Sequence, residues 1–246
     1  MKIISNIGSY TILMARVLKK PDKGNIFRKK ILIEMDSLGL NSLGIIAYIS
    51  IFMGAILAIQ TASQTDNPLY PGYLIGFAVR ESILLEFSPT IISLILAGKI
   101  GSSVASEIGT MKVTEQIDAL EIMGINSANF LIAPKLIAAI IINPLLIIIS
   151  IFLGIIGGWL AAVFAGVVNP QEYLQGIQMW FVPFEVFYAL LKTVVFAIII
   201  ITVSAYHAYY IKGGAIDVGK ASTKAVVYSS ILIILFNLIL TQLLLV

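Results

Sequence analysis

The feature that most constrains this chain is the length of its uncharged apolar runs. From Leu136 to Gln171 there are 36 consecutive residues without a charged side chain, and Asn41 to Ser63 is a second such run. Across the sequence 59% of residues are hydrophobic and 12% are charged, whereas a soluble domain has about 25% charged residues. So few charges cannot cover a surface, and we therefore expect most of the protein to face lipid.

Five segments meet the requirement for a membrane span, which is about 20 mostly apolar residues. The stretch that begins at Leu136 would measure about 54 Å as a helix, and we interpret it as one long span that stops before NPQEY at 169–173. The predicted organisation is a single membrane domain over 1–246, with an interfacial arm at 1–36 and spans at about 41–63, 73–99, 131–166, 185–207 and 225–246.

The N-terminal arm predicts an amphipathic helix that lies on the membrane surface. Its apolar residues recur at spacings of four and three and are followed by basic residues, while interspersed polar residues argue against a signal peptide. Fourteen of the sixteen Lys and Arg lie in this arm or in the loops after spans two and four. Since basic residues favour the cytoplasmic side, we expect a cytoplasmic N-terminus and an outward-facing C-terminus.

The segment ASEIGTMKVTEQIDALEIMG at 105–124 concentrates charge on the predicted cytoplasmic side. Thr114 is suited to be an N-cap and Gly124 to follow the C-terminus, which gives a helix of about nine residues that is too short to be stable alone. Its acidic and apolar residues fall on opposite arcs: Glu115, Asp118 and Glu121 against Ile117, Ala119, Leu120 and Met123. The helix either packs only on its own protein or docks into a cytoplasmic partner, and periodicity leaves both open.

The sequence LAGKIGSSVASEIGTMKVTEQIDALEIMGIN at 96–126 closely resembles the signature of the MlaE (YrbE) family. These proteins are permease subunits of ABC transporters that work with MCE-domain proteins in lipid traffic between the bacterial inner and outer membranes. LLKTVVFAI at 190–198 and ASTKAVVYSS at 221–230 resemble the fourth and fifth spans of the family. The resemblance therefore covers nearly the whole chain.

The resemblance implies an all-α integral membrane protein of the bacterial inner membrane, with a periplasmic C-terminus. It implies an N-terminal interfacial elbow helix, five transmembrane helices and a short cytoplasmic coupling helix between spans two and three. It also implies a second copy of the chain, a cytoplasmic MlaF-like ABC ATPase, a periplasmic MlaD-like MCE protein and phospholipid as partners, and no nucleic acid. The residues that it assigns to ATPase coupling are Thr114, Glu115, Gln116, Ile117, Asp118, Ala119, Leu120 and Glu121.

Catalysis is not expected of this chain. It lacks the G-x-x-x-x-G-K-[ST] phosphate-binding motif, so we expect ATP to be bound and hydrolysed by the partner subunit, with no cofactor in the chain itself. A metal site is not expected either, because the sequence has no cysteine and only one histidine, His207.

Ionisable residues inside spans are costly and usually mark a pathway or an ion pair. Glu86, in LLEFSPT, takes the glutamate position of a family pattern that resembles R-E-L-G-P, while Leu85 replaces its arginine and Phe87 and Ser88 replace its Leu and Gly. Pro89 should free a backbone carbonyl nearby. The candidates for lining a lipid cavity are Glu86, Phe87, Lys192, Arg80 and Leu85, the last as the position of the missing arginine.

The sequence leaves three alternatives open. Glu86 and Lys192 could form a structural ion pair rather than a lipid site, and the two roles are compatible. The chain could be an ion-coupled secondary carrier, although it shows no inverted repeat. It could also be a non-transporting membrane anchor for an ATPase, in which case charges within the spans have no evident purpose.

Overall fold

The computed structural model describes residues 2–19, 24–65 and 71–245. Five helices in these ranges are long and apolar enough to cross a membrane: span one Gly24–Gln64, span two Tyr73–Val113, span three Ser127–Phe164, span four Pro183–Tyr209 and span five Ala215–Leu244. Three shorter helices complete the fold: the N-terminal helix Lys2–Val17, the loop helix Gln116–Ile122 and the connecting helix Pro170–Gln178. The predicted all-α membrane fold is confirmed.

Several helices extend beyond the apolar segments from which the spans were predicted. Span one begins at Gly24, so the charged residues 28–36 that we assigned to the arm are helical and continuous with the span. Span two continues past residue 99 to Val113, and span five begins at Ala215 instead of near 225. The difference arises because hydropathy marks only the apolar part of a helix, whereas backbone hydrogen bonds continue through the charged residues beside it. Lys20 and Lys23 of the arm lie outside the described residues.

Spans one and three pack with their backbones almost in contact. A Cβ atom on Gly54 would lie 1.8 Å from the carbonyl oxygen of Gly154, and one on Gly157 would lie 2.2 Å from that of Ile51. Small residues permit such approaches between membrane helices, where van der Waals packing and interhelical hydrogen bonds drive association. The glycines therefore explain how closely these two spans approach each other.

A buried chain of hydroxyl groups joins this pair of helices to span two. Ser50 Oγ of span one donates to Ser150 Oγ of span three at 2.8 Å, and Ser150 Oγ donates to Ser88 Oγ of span two at 3.0 Å. All three serines are buried. Polar side chains in spans commonly form hydrogen bonds across helices in this way. Here the bonds fix the position of span two along spans one and three, next to the most irregular segment of span two.

That irregular segment is π-helical over Ile83–Ile91, and a second π-helical segment follows at Ala97–Gly101. Pro89 lies inside the first segment and cannot donate a backbone hydrogen bond. Such insertions are uncommon within α-helices and occur frequently at functional sites. Glu86 lies in the middle of the first π-helical segment, which directs attention to this part of span two.

The N-terminal helix is attached to the loop-helix end of the bundle. Leu13 and Val17 are buried in the shared core. Asn129 Nδ2, in the first turn of span three, donates to the carbonyl oxygens of Val17 and Lys19 at 2.7 and 2.6 Å. The N-terminal helix, the loop helix and the start of span three therefore meet at one end of the molecule.

Candidate functional site

The first candidate site is an ion pair between Glu86 of span two and Lys192 of span four. Lys192 Nζ lies 3.0 Å from Glu86 Oε1 and donates to the carbonyl oxygen of Leu85 at 3.0 Å. Leu85 stands four residues before Pro89, so its carbonyl is the one that residue 89 would bond in a regular helix. The ion pair that the sequence left open is present, and one ammonium group joins the Glu86 carboxylate to the Leu85 carbonyl.

The Lys192 side chain is completely enclosed by the protein. Its exposed fraction is 0%, and its ammonium group lies 4.8 Å from the centre of the Tyr188 ring. A buried cation needs compensation by an anion, hydrogen-bond acceptors or an aromatic face, and Lys192 has all three. This side chain cannot snorkel to an interface, so its charge stays beside span two.

Thr90 of span two and two polar residues of span five complete this cluster. Asn237 Nδ2 donates to Glu86 Oε2 at 2.9 Å, and Thr90 Oγ1 lies 3.1 Å from the same carboxylate oxygen. Thr241 Oγ1 lies 2.7 Å from the hydroxyl of Tyr188. Sequence reasoning missed Thr90, Asn237 and Thr241. The available signal was the four-residue spacing of Asn237 and Thr241, which puts two polar groups on one face of a span that is otherwise apolar there.

Glu86 itself is open to its surroundings, with 49% of its side chain exposed. Phe87, the next residue, is partly buried. The cluster thus presents one carboxylate outward, over a buried ammonium group, from the π-helical part of a span. A charge at this depth costs at least about 2.5 kcal/mol if it faces acyl chains, so the geometry requires a polar or protein environment outside Glu86.

Arg80 belongs to a different structure and makes no contact with Glu86. It forms an ion pair with Glu81, and its guanidinium group donates to the carbonyl oxygens of Ile177 and Met179 at 2.8 and 2.7 Å. Its side chain is 3% exposed. These bonds hold the end of the connecting helix against span two, so the donors of Arg80 are already occupied and Leu85 has no arginine substitute there.

The second candidate site is the loop helix at the end of span two. The predicted end is confirmed: Gly124 has φ +76°, and the amides of Gly124 and Ile125 donate to the carbonyls of Glu121 and Leu120 at 3.0 Å each. The predicted start is wrong by one residue. Glu115, with φ 59°, precedes the helix, while the Thr114 hydroxyl donates back to the Thr110 carbonyl at 2.8 Å. Thr114 is therefore the C-cap of span two and is not the N-cap of the loop helix.

Two acidic residues of the loop helix are held by cations of the same chain. Asp118 pairs with Lys112 at 2.6 Å. Glu121 pairs with Arg16 of the N-terminal helix and accepts hydrogen bonds from Ser127 Oγ and the Tyr209 hydroxyl at 2.8 Å each. The hydrogen bond from Arg16, with help from those two hydroxyls, lowers the pKa of Glu121 to about 2.

The outward face of the loop helix differs from the arcs that periodicity predicted. Ile117 is 1% exposed and Leu120 packs against the core, so both point into the protein. Ala119 and Met123 were predicted on the buried side, but Ala119 is exposed and Met123 is 65% exposed. Ile122, beside Met123, is 88% exposed. The turn at Thr114 and Glu115, with Glu115 in a left-handed conformation, sets the rotation of the helix, so its buried side centres on Ile117 and Leu120. The exposed residues of the loop helix and its ends that form no ion pair within the described part of the chain are Glu115, Gln116, Ala119, Ile122 and Met123.

Comparisons with known proteins agree with this architecture. The family model described as "Permease MlaE" matches residues 31–243. The chain belongs to the MlaE permease family. As a member, it is a multi-pass membrane protein and an ABC transporter permease.

Individual relatives of this MlaE-family chain cover nearly its whole length. A protein of Rickettsia bellii named "Probable ABC transporter permease protein" is 36% identical over 98% of this chain and 93% of its own length. The Haemophilus influenzae "Intermembrane phospholipid transport system permease protein MlaE" is 30% identical over 85% of this chain and 80% of its own length. The Arabidopsis thaliana chloroplast protein "TRIGALACTOSYLDIACYLGLYCEROL 1" is 29% identical over 95% of this chain and 67% of its own length.

Proposed function

We propose that this MlaE-family permease moves phospholipid between the inner membrane of a bacterium and a periplasmic carrier with MCE domains, and that a separate cytoplasmic ABC ATPase powers the movement. The observation that carries the proposal is the half-exposed Glu86 carboxylate on the π-helical part of span two. The name of the Haemophilus influenzae relative, a phospholipid transport permease, supports the choice of substrate.

The Glu86 cluster is suited to line a path for a polar head group. Its outward carboxylate and the amide of Asn237 offer an acceptor and a donor at a depth where acyl chains offer neither. Span five, beside the cluster, has large apolar side chains exposed along most of its length, including Ile231, Ile234 and Leu238. A second copy of the chain that packed on this side would cover Glu86 and enclose a chamber between the two copies.

The loop helix is suited to transmit force from the ATPase. Its exposed tip, Ile122 and Met123, is an apolar anchor of the kind that fits a groove on a partner. The ion pairs of Asp118 and Glu121 hold the helix to span two and to the N-terminal helix. A movement of the tip would therefore pull several helices together as a nearly rigid unit. In the proposed orientation this end faces the cytoplasm and the C-terminus faces the periplasm.

The ATPase contact is tested by co-purification. We expect Ile122→Asp with Met123→Asp to reduce the amount of ABC ATPase retained on the tagged permease at least about tenfold, because the few residues that dominate an interface each contribute about 2 kcal/mol or more. The matched control is Ile216→Asp, which changes another isoleucine that is 77% exposed and should retain the ATPase. Equal retention by all variants would exclude the loop helix as the contact.

Two other functions give different results in proteoliposomes. An ion-coupled carrier would move phospholipid on a pH gradient with no ATPase present. A non-transporting anchor would retain the ATPase but would show no ATP-dependent lipid movement. The proposed permease requires ATP and the ATPase and loses transfer when Glu86 is changed.

A further inference from the structure

A long groove lies on the outside of span four, between the N-terminal helix and span five. Its volume is about 640 Å³, and its walls include Ile7, Val195, Ile198, Leu232 and Phe236. These side chains are apolar, and the groove contains no residue of the Glu86 cluster. Ligand pockets are typically about 300–1,000 Å³ in volume, so the groove is large enough to hold a substantial apolar ligand.

A second cavity of about 380 Å³ continues from one end of this groove. The two cavities share Asn6, Tyr206, His207 and Tyr228 as lining residues. The second cavity differs in chemistry, because its walls carry three lysines and one acid: Lys212, Lys220, Lys224 and Asp217. An apolar groove therefore opens directly into a basic, polar compartment.

The compartment has an excess of positive charge. Lys220 is 3.1 Å from Asp217, which compensates its charge. Lys212 and Lys224 have no carboxylate partner among the described residues, and both are exposed. Two uncompensated ammonium groups at the mouth of an apolar groove favour a ligand that joins an anionic group to a hydrocarbon chain.

The junction between the two cavities lies where head groups are expected. His207 stacks on Tyr228 with ring centres 5.0 Å apart, and Tyr206 packs edge-on against Tyr10 at 5.7 Å. Aromatic residues of this kind concentrate at the interface between the hydrocarbon core and water. Tyr209, beside them on span four, bonds to Glu121, so the basic compartment is at the loop-helix end of the bundle.

We propose that this groove and compartment bind one anionic phospholipid, with an acyl chain along span four and the phosphate group between Lys212 and Lys224. Basic pockets between membrane helices on the cytoplasmic side are suited to such head groups. A transmembrane helix of another protein would cover the apolar groove but would leave Lys212 and Lys224 without an anionic partner. The assignment to the cytoplasmic leaflet rests on the orientation given under Proposed function, whereas the binding itself does not.

Native mass spectrometry of the purified full chain, titrated with dioleoyl phosphatidylglycerol or dioleoyl phosphatidylcholine, tests this proposal. We expect a preference for phosphatidylglycerol that falls at least about tenfold in Lys212→Glu with Lys224→Glu, since each basic residue near a head group contributes about 1 kcal/mol. The control is Arg28→Glu with Lys29→Glu, an equal charge change on exposed residues of span one outside both cavities. It should keep the preference.

A second variant tests the groove without changing charge. Ile198→Trp fills the groove and should weaken the binding of phosphatidylglycerol while Lys212 and Lys224 remain in place. The proposal is overturned if the Lys212 and Lys224 variant loses no more phosphatidylglycerol than the control, if Ile198→Trp binds as tightly as the wild type, or if the groove proves to be covered by a second copy or another protein. Because no ATPase or carrier is present, these results are independent of ATP-driven transfer.

Discussion

The ion pair between Glu86 and Lys192 predicts an asymmetric response to neutralising its two partners. In Glu86→Gln, the Lys192 ammonium group stays at 0% exposure without an anion. Leaving one member of a buried pair uncompensated costs about 3–5 kcal/mol. We expect the lower figure, because the Leu85 carbonyl at 3.0 Å and the Tyr188 ring at 4.8 Å still face the ammonium group.

Lys192→Met should cost less. The remaining carboxylate is 49% exposed and keeps its hydrogen bond from Asn237 at 2.9 Å, so the loss is that of a hydrogen bond to a charged group, about 1.5 kcal/mol. In the double variant neither charge remains, and its cost should be below that of Glu86→Gln alone. The two changes are then sub-additive by about 2 to 3 kcal/mol, as is common for residues in contact.

Thermal unfolding of the purified permease in detergent measures these differences. A cost of 3 kcal/mol corresponds to a fall of about 6–12 °C in unfolding temperature for a chain of this size, and we expect half of that or less for Lys192→Met. The reasoning is refuted if the two single variants are equally unstable, if Lys192→Met is the less stable of the two, or if the double variant shows the full sum.

Three further predictions concern other contacts. Glu121→Gln should destabilise the protein by about 1 kcal/mol at pH 7, a figure reduced for the 41% exposure of the side chain. Because the pKa of Glu121 in the folded protein is about 2 against an ordinary 4.5, the difference in stability from wild type should vanish as the pH falls from 4.5 to 2, and a constant difference across that range would contradict the prediction. Gly54→Ala should lower stability by about 1–3 kcal/mol because the new Cβ meets the Gly154 carbonyl. The control Gly44→Ala, which lies in open space on the same span, should not lower stability, and equal unfolding temperatures of the two variants would refute the prediction. Arg80→Met should increase hydrogen exchange at residues 177–180 through the loss of its carbonyl contacts, and unchanged exchange would show that those contacts do not hold the segment.

The number and type of helices could be predicted from sequence because the apolar runs are long. The point at which each helix ends in water could not, since residues 28–36 and 100–113 are as compatible with loops as with helix when judged by hydropathy alone. The π-helical segment was also out of reach. Pro89 indicated a disturbance, but the hydrogen-bond pattern around it depends on Ser150, Lys192 and Asn237 in three other spans.

Some features of the candidate sites could likewise be predicted from the sequence, and others could not. The pairing of Glu86 with Lys192 was predictable because two opposite charges inside spans need partners. The face of the loop helix was not, because the left-handed turn at Glu115 sets its rotation, and because Arg16, more than 100 residues away in sequence, forms the ion pair with Glu121. Local periodicity contains neither piece of information.

The most direct test of the account is phospholipid transfer by the permease reconstituted in liposomes with the ABC ATPase and the MCE protein of its own organism. Fluorescent phospholipid exchanged between liposome and carrier is measured with and without ATP, for wild type and for Asn237→Ala, which removes the amide that donates to Glu86. We predict transfer that requires ATP and the ATPase and that is reduced in the variant. Transfer without the ATPase, or a fully assembled complex that hydrolyses ATP and moves no phospholipid, would contradict the account.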